Sequence, residues 1–227
     1  MLLHFCVGLG TLFLANTMKY NFITIEGNIG AGKTTLARTL SEKLHAKLIL
    51  EEFAENPFLA NFYSNPEKYA FPLELFFMAE RYKQLKELSQ TKSLFEGVTV
   101  SDYMFTKCLL FAKVNLPPEE FKLYQKLFDI MHQQLPKPDI LIYLHAPVEK
   151  LQKNIKKRNR GYEQSIPDQY LLNIQETYTS YIKQNNQKTI FIDASNADFE
   201  NNENHINIVL HTLKRGSPEG QHYLTLP

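Results

Sequence analysis

Short apolar runs alternate with longer amphipathic stretches along most of the chain. In the longer stretches, apolar residues recur every three or four positions, as Leu36, Leu40 and Leu44 do, which predicts helices. The predicted strands cover residues 20–26, 47–50, 98–102, 140–144 and 189–193. The predicted helices cover residues 34–44, 56–90, 105–132, 148–181 and 205–214, with a break at Pro117 and Pro118.

Strands that alternate with helices in this way are typical of an α/β fold with a parallel, doubly wound sheet. We therefore predict a five-stranded parallel sheet flanked by helices. Ligands bind such sheets beyond the carboxyl ends of the strands. Glu51, Asp102 and Asp193 each lie at the end of a predicted strand, so this edge is predicted to hold the functional site.

Residues 27–34 match the phosphate-loop pattern G-x-x-x-x-G-K-[ST] without a mismatch. Glycines let the backbone curl so that its N–H groups surround a phosphate, Lys33 adds a cation, and the Thr34 hydroxyl is suited to Mg²⁺. A glycine-rich turn without a ligand is the alternative. The predicted strand before the motif and the predicted helix after it favour the phosphate loop.

Composition narrows the class of protein further. A chain of 227 residues with 44% hydrophobic residues suits one α/β domain, and a formal net charge of +1 gives no argument for a nucleic-acid or membrane partner. Cys6 and Cys108 are too few for a disulfide framework, which favours a reducing compartment. We predict a cytoplasmic protein that binds neither nucleic acid nor membrane.

The two ends of the chain differ in character from the predicted domain at 18–214. Residues 1–17 are apolar and contain no Lys or Arg, and we predict an extension outside the fold. An export signal is the alternative, although the basic start of such signals is missing. Residues 215–227 include two prolines and are mostly polar, which predicts a flexible tail.

Several motifs in order resemble those of the deoxynucleoside kinase family, most closely its bacterial deoxyguanosine kinase branch. They are EGNIGAGKTTL at 26–36, NPFL at 56–59, FY at 62–63, LELFF at 73–77, RYKQL at 81–85, SDY at 101–103, FA at 111–112, LPKP at 135–138 and RNRGYEQ at 158–164. The resemblance runs from about residue 18 to residue 199. It implies a P-loop kinase fold with a helical lid, and transfer of the ATP γ-phosphoryl group to the 5′-hydroxyl of a deoxynucleoside. It also implies a homodimer and a Mg²⁺ cofactor.

The resemblance assigns the catalytic groups. Glu51 matches the family's catalytic carboxylate, and its neighbour Glu52 is the alternative, since side chains of adjacent strand residues point in opposite directions. Lys33 belongs to the phosphate loop. Arg158 and Arg160 match the lid that reaches over the phosphates; by composition alone, their basic run would be read as a solvated helix face.

The ATP and metal sites follow from the phosphate-loop motif, and the loop from Asp193 to Phe199 is added by the resemblance. The residues implied in ATP binding are Gly27, Asn28, Ile29, Gly30, Ala31, Gly32, Lys33, Thr34, Thr35, Asp193, Asp198 and Phe199. Thr34 and Asp102 are predicted to hold Mg²⁺, and an N-cap of the following helix is the alternative for Asp102. Many family members carry an Arg directly after the acidic residue here, and this chain has Tyr103 instead.

The predicted substrate-binding residues comprise Glu51 and five others. Glu163 and Tyr63 match the contacts to the sugar 3′-hydroxyl, although Tyr63 alone would be read as a packing aromatic. Glu74 stands where many relatives carry Gln. A carboxylate only accepts hydrogen bonds, which suits the N1–H and 2-amino donors of guanine. Arg81 and Lys107 are predicted to donate to guanine O6 or N7.

The sequence therefore predicts a purine deoxynucleoside kinase, with deoxyguanosine as the substrate. Deoxyadenosine or a broad range of deoxynucleosides is the alternative within this class. A nucleoside monophosphate kinase is disfavoured because the sugar-side motifs suit a nucleoside. A non-catalytic nucleotide-binding module is the alternative from another class, and the presence of Lys33, Glu51, Arg158 and Arg160 argues against it. A solvated helical pair is the alternative for Glu74 and Arg81.

Overall fold

A computed structural model of the chain describes residues 18–52, 56–91, 97–216 and 220–227. The predicted extension at 1–17, including Cys6, lies outside the described residues. Among the described residues, none of the helices combines the length and the apolar character that a bilayer span requires.

Within the described residues, the sheet contains six parallel strands rather than the predicted five. They are β1 (Phe22–Gly27), β2 (Lys47–Ile49), β3 (Thr99–Ser101), β4 (Ile140–His145), β5 (Thr189–Asp193) and β6 (Gln221–Thr225). Their spatial order is β2-β3-β1-β4-β5-β6. The sheet is therefore the predicted parallel one with an additional edge strand.

Strand β6 lies within the segment that the sequence assigns to a tail. It pairs with β5 from Thr189↔Gln221 to Asp193↔Thr225. An edge strand is held mainly by its backbone ladder and keeps exposed side chains, and Tyr223 is accordingly 74% exposed. The sequence of β6, QHYLT, accordingly contains no apolar run of the kind that identifies a buried strand.

Eight helices surround the sheet in the described part of the chain. They are α1 (Lys33–Leu44), α2 (Leu59–Ser64), α3 (Pro66–Thr91), α4 (Lys107–Asn115), α5 (Pro118–His132), α6 (Val148–Arg158), α7 (Asp168–Gln184) and α8 (Glu203–Arg215). The predicted helix at 56–90 is divided where Pro66 begins α3, since proline suits a first helical turn. The predicted helix at 148–181 is divided at Asn159, whose left-handed backbone ends α6.

Two large apolar clusters position the carboxyl edge of the sheet. The first joins the strands to α1, with Ile23, Ile25 and Leu36 fully buried. The second joins α3, α4 and α5, and includes Leu73, Phe77, Leu85, Tyr124 and Phe128. Helices α3 and α4 thus form a packed wall beside the strand ends.

Candidate active site

The phosphate loop, residues 27–34, connects β1 to α1 in a shape that requires glycine. Gly30 has φ +81°, and a Cβ atom added there would lie 2.7 Å from the carbonyl oxygen of Leu151. A side chain at this position would be strained and would also collide with α6. Asn154 Nδ2 donates to Gly30 O at 2.8 Å, and Asn28 Nδ2 donates to Leu171 O at 2.7 Å. Helices α6 and α7 therefore hold the loop from outside.

The Lys33 ammonium lies inside the curl of the loop. Its Nζ donates to Gly27 O at 3.0 Å and to Asn28 O at 2.9 Å. Burial, together with the charge of Lys107, lowers the pKa of Lys33 to about 8. These carbonyl contacts keep the cation at the place where the motif would receive a phosphate.

Thr34, in the first turn of α1, lies beside Asp102, which directly follows β3. Thr34 Oγ1 donates to Asp102 Oδ2 at 2.6 Å, and the Glu51 backbone N–H donates to Asp102 Oδ1 at 2.8 Å. Burial and the nearby charge of Glu51 raise the pKa of Asp102. Asp102 does not cap α4, whose N-cap residue is Thr106. A hydroxyl beside a carboxylate fits the oxygen donors that Mg²⁺ prefers.

The Glu51 carboxylate is buried between two cations. Its Oε1 accepts from Arg81 Nε at 2.8 Å and also from Arg81 Nη2, and its Oε2 accepts from Lys107 Nζ at 2.5 Å. Burial by itself would raise the pKa of Glu51, but the charges and hydrogen bonds of Arg81 and Lys107 lower it to about 2. Glu51 is therefore ionised at neutral pH, while its neighbour Glu52 is exposed.

Arg81 and Lys107, which the sequence predicts as donors to guanine O6 or N7, both lie against the Glu51 carboxylate. Their hydrogen bonds to carboxylates go to Glu51, and Arg81 Nη1 additionally donates to Cys108 Sγ at 3.0 Å. The guanidinium beside the Glu51 carboxylate thus comes from α3, whereas the chain has no Arg directly after Asp102. Helical spacing could not reveal this contact because Glu51 lies on a different element.

Glu74 is 2% exposed, and Arg81 on the same helix is 4% exposed, so neither belongs to a solvated pair. Asn115 Nδ2 donates to Glu74 Oε1 at 2.7 Å. Burial raises the pKa of Glu74 to about 7, against the lowering effects of the Asn115 hydrogen bond and the Arg81 charge. Asn115 is not among the residues predicted from the sequence. Its position eight residues after Lys107 places it on the same face of α4.

Arg158, the last residue of α6, and Arg160, just after it, both contact Glu163. Arg158 Nη2 donates to Glu163 Oε2, and Arg160 Nη1 donates to Glu163 Oε1 at 3.3 Å. Glu163 itself is buried within a short 3₁₀ helix, Gly161–Glu163. The Tyr63 ring stacks on Tyr162 at 6.4 Å between centroids, with 9° between the planes.

Two neighbouring cavities are lined by most of the predicted site residues, while Gly27, Asn28 and Asp193 line neither of them. The first, here called the inner cavity, is lined by all six residues predicted to bind the nucleoside: Glu51, Tyr63, Glu74, Arg81, Lys107 and Glu163. Phe77, Phe111, Asn115 and Tyr170 also line it and were not predicted. Its wall combines aromatic side chains with several charged groups, and convergent polar groups on an apolar wall are typical of a small-molecule site.

The second, outer cavity lies over the phosphate loop. It is lined by Gly30 to Thr35, by Asp102, by four basic residues of α6 (Lys150, Lys153, Lys157 and Arg158), and by Asp198 and Phe199. Asp193 does not line this cavity: its carboxylate accepts from the Ser195 backbone N–H at 3.0 Å and from Ser195 Oγ at 2.5 Å. Lys33 and Arg158 line both cavities, so ligands in the two would meet at these cations.

Comparison with known proteins decides the family, because residues 23–215 match the family model described as deoxynucleoside kinase. The chain belongs to the deoxynucleoside kinase family. The predicted family and the parallel P-loop kinase fold are thereby confirmed, and the protein is an ATP-dependent phosphotransferase of nucleotide salvage. The non-catalytic alternative is set aside.

Individual relatives differ in the nucleoside they name. Deoxyguanosine kinase of Bacillus subtilis is 37% identical over 183 residues, covering 78% of this chain and 88% of that protein. Deoxyadenosine/deoxycytidine kinase of the same organism is 32% identical, covering 84% and 91%. Deoxyadenosine kinase of Lactobacillus acidophilus is also 32% identical, covering 80% and 89%.

Solved structures give the same fold. Deoxyadenosine kinase from M. mycoides with bound dATP superposes with a TM-score of 0.73 at 27% identity, covering 86% of this chain and 98% of that chain. The same enzyme with bound dCTP gives a TM-score of 0.74 at 26% identity, covering 86% and 99%. These two ligands are nucleotides, as expected for a kinase family.

Proposed function

We propose that this kinase transfers the γ-phosphoryl group of ATP to the 5′-hydroxyl of a purine deoxynucleoside, with deoxyguanosine as the preferred substrate. The observation that carries the proposal is the buried Glu74 carboxylate in the wall of the inner cavity. Guanine presents N1–H and its 2-amino group side by side, and the two oxygens of a carboxylate accept from both. The 37% identity to a deoxyguanosine kinase supports the same choice.

In this proposal Glu51 orients the 5′-hydroxyl and accepts its proton as the phosphoryl group transfers. A carboxylate with a pKa of about 2 is a weak general base. Phosphoryl transfer passes through a loose transition state, for which positioning and charge stabilisation matter more than proton removal. Arg81 and Lys107 hold both oxygens of Glu51, so that the carboxylate is fixed before the substrate arrives.

The phosphate side follows from the outer cavity. ATP would place its phosphates against the backbone N–H groups of the phosphate loop and the Lys33 ammonium. Thr34 and Asp102 would hold Mg²⁺, which would supply positive charge to offset the negative charge of the phosphates. Arg158, which lines both cavities, would stabilise charge on the transferring group, and Arg160 would contribute from the adjoining lid.

The sugar side follows from Glu163 and Tyr63 in the wall of the inner cavity. Glu163 would accept a hydrogen bond from the 3′-hydroxyl of the deoxyribose. In the structure, Arg158 and Arg160 both donate to Glu163. Binding of the nucleoside and of ATP would therefore redistribute these contacts, with Glu163 turning to the sugar and the arginines to the phosphates.

The proposal is tested by measuring ADP release with Mg-ATP and each of the four common deoxynucleosides. We expect the highest kcat/KM for deoxyguanosine, a lower value for deoxyadenosine, and much lower values for deoxycytidine and thymidine. The Glu51→Gln variant supplies the background rate of the same preparation. Preference for a pyrimidine, or release of ADP at the Glu51→Gln background with every nucleoside, would contradict the proposal.

A further inference from the structure

The carboxyl group of Glu74 lies in a buried pocket built by several elements. From α4, Asn115 donates to its Oε1 at 2.7 Å. From α5, Tyr124 donates to the main-chain oxygen of Glu74 at 3.2 Å, which fixes the backbone at this turn of α3. Tyr170 of α7 lines the same cavity. The carboxyl group therefore has a defined orientation, which a reader of a base edge requires.

Several charged or titratable groups surround Glu74. They are Arg81 on α3, Glu51 after β2, Lys107 and Cys108 on α4, Tyr63 on α2, Tyr124 on α5, Tyr170 on α7, and Glu163 with Arg158 on the lid. Arg81 and Lys107, the two cations that act most on Glu74, donate hydrogen bonds to Glu51. Their ion pairs are therefore with Glu51 rather than with Glu74. Burial raises the pKa of Glu74 to about 7, so both protonation states are populated near neutral pH.

The two protonation states present different hydrogen-bonding patterns to a purine. As a carboxylate, Glu74 offers two acceptors, which match N1–H and the 2-amino group of guanine. As a carboxylic acid, it offers one donor and one acceptor, which match N1 and the 6-amino group of adenine. A wrong combination leaves a buried polar group unpaired, and sites of this kind discriminate strongly between substrates.

We propose that Glu74 reads both purines, guanine as the carboxylate and adenine as the carboxylic acid, with Asn115 fixing the orientation of the carboxyl group. The proposal rests on the proposed function, since it assigns the base specificity of that same site. It makes the choice between deoxyguanosine and deoxyadenosine depend on a single proton, and it assigns Asn115 as a positioning residue.

Because the choice of purine depends on one proton, the size of the expected pH dependence can be stated. The ratio of kcat/KM for deoxyguanosine to kcat/KM for deoxyadenosine follows the ratio of ionised to protonated Glu74 in the free enzyme. That ratio rises about tenfold for each pH unit. Lys33, whose pKa is about 8, and Glu51, whose pKa is about 2, act on the transfer step that both substrates share, so their titration cancels in the ratio.

The experiment is a competition between the two deoxynucleosides at saturating Mg-ATP. The full chain is incubated with an equimolar mixture from one pH unit below to one pH unit above about 7, and the two monophosphate products are separated and counted. For the unmodified protein we expect the product ratio to shift toward dGMP by about tenfold per pH unit. This part of the experiment uses the unmodified protein, so misfolding of a variant cannot affect its result.

Two variants distinguish the role of Glu74, which contacts the base, from that of Asn115, which positions Glu74. Glu74→Gln keeps one donor and one acceptor at every pH, so its product ratio should favour dAMP and be independent of pH. Asn115→Leu removes a hydrogen bond that favours the ionised form. The bend in its deoxyguanosine pH profile should therefore move to higher pH, a change that loosened packing alone would not produce.

The outcomes distinguish the inference from the function on which it rests. Phosphorylation of both purines in a pH-independent ratio would overturn the inference and leave the proposed function standing. A pH-dependent ratio that persists in Glu74→Gln would also overturn it, because another group would then be responsible. Absence of phosphorylation of both deoxynucleosides would overturn the proposed function and the inference together.

Discussion

Arg81 of α3 donates two hydrogen bonds to Oε1 of Glu51, although 30 residues separate them along the chain. The pair is almost fully buried, with side-chain exposures of 5% for Arg81 and 2% for Glu51. Together with Lys107 it forms the ionised centre of the inner cavity. A buried carboxylate needs such partners to stay charged, so the position of α3 and the ionisation of Glu51 depend on each other.

Replacing Arg81 by Met tests this dependence. The variant leaves Glu51 with Lys107 alone, and breaking one side of a buried pair costs about 3–5 kcal/mol. The free energy of unfolding, measured by denaturant titration at neutral pH, should fall by about that amount. Arg38→Met, on the exposed face of α1, is the matched control and should change it by less than about 0.5 kcal/mol. Equal effects in the two variants would show that the pair contributes no stability.

The Arg81–Glu51 contact also shows where sequence reasoning reaches its limit. The phosphate loop lies as predicted between β1 and α1, because its glycines and its flanking pattern are local features of the chain. Helical spacing correctly places Glu74 and Arg81 in the wall of one cavity. The partner of Arg81 could not be predicted, because it follows from how α3 packs against the end of β2.

The same distinction applies to β6 and to Asn115. Strand β6 is defined by its backbone pairing with β5, and its mostly polar sequence carries little apolar signal. Asn115 of α4 donates to Glu74 of α3, and 41 residues separate the two along the chain. Local pattern therefore predicts elements and motifs, while contacts between elements require the structure.

Gly30→Ala tests the shape of the phosphate loop. The added methyl group would meet Leu151 O at 2.7 Å and would occupy a backbone with φ +81°, a region that costs a residue with a side chain about 1–2 kcal/mol even without a collision. We expect a lower Tm and a loss of the thermal stabilisation that Mg-ATP gives the unmodified protein. Gly97→Ala, where an added Cβ meets nothing within 4 Å, is the control. A Gly30→Ala variant that is stabilised by Mg-ATP like the unmodified protein would exclude the loop as the phosphate site.

The pKa of Glu74 predicts how stability depends on pH. Its folded-state pKa of about 7 lies above the ordinary 4.5, so the folded state favours the protonated form. Stability is lost as the pH rises through this interval, by on the order of 3 kcal/mol for the full shift. Gln cannot ionise, so the difference in unfolding free energy between Glu74→Gln and the unmodified protein should move in favour of the variant from about pH 4.5 to about pH 7. A difference that is constant with pH would contradict the raised pKa.

The central claim is that the Glu51 carboxylate acts on the 5′-hydroxyl during phosphoryl transfer. The most direct test compares kcat for deoxyguanosine in two variants of adjacent residues. Glu51→Gln keeps the shape of the side chain but removes the negative charge that orients the 5′-hydroxyl and accepts its proton, so kcat should fall on the order of 10²-fold or more. Glu52→Gln, at an exposed position, should leave kcat nearly unchanged. Comparable losses in the two variants, or a kcat for Glu51→Gln close to that of the unmodified protein, would contradict the account.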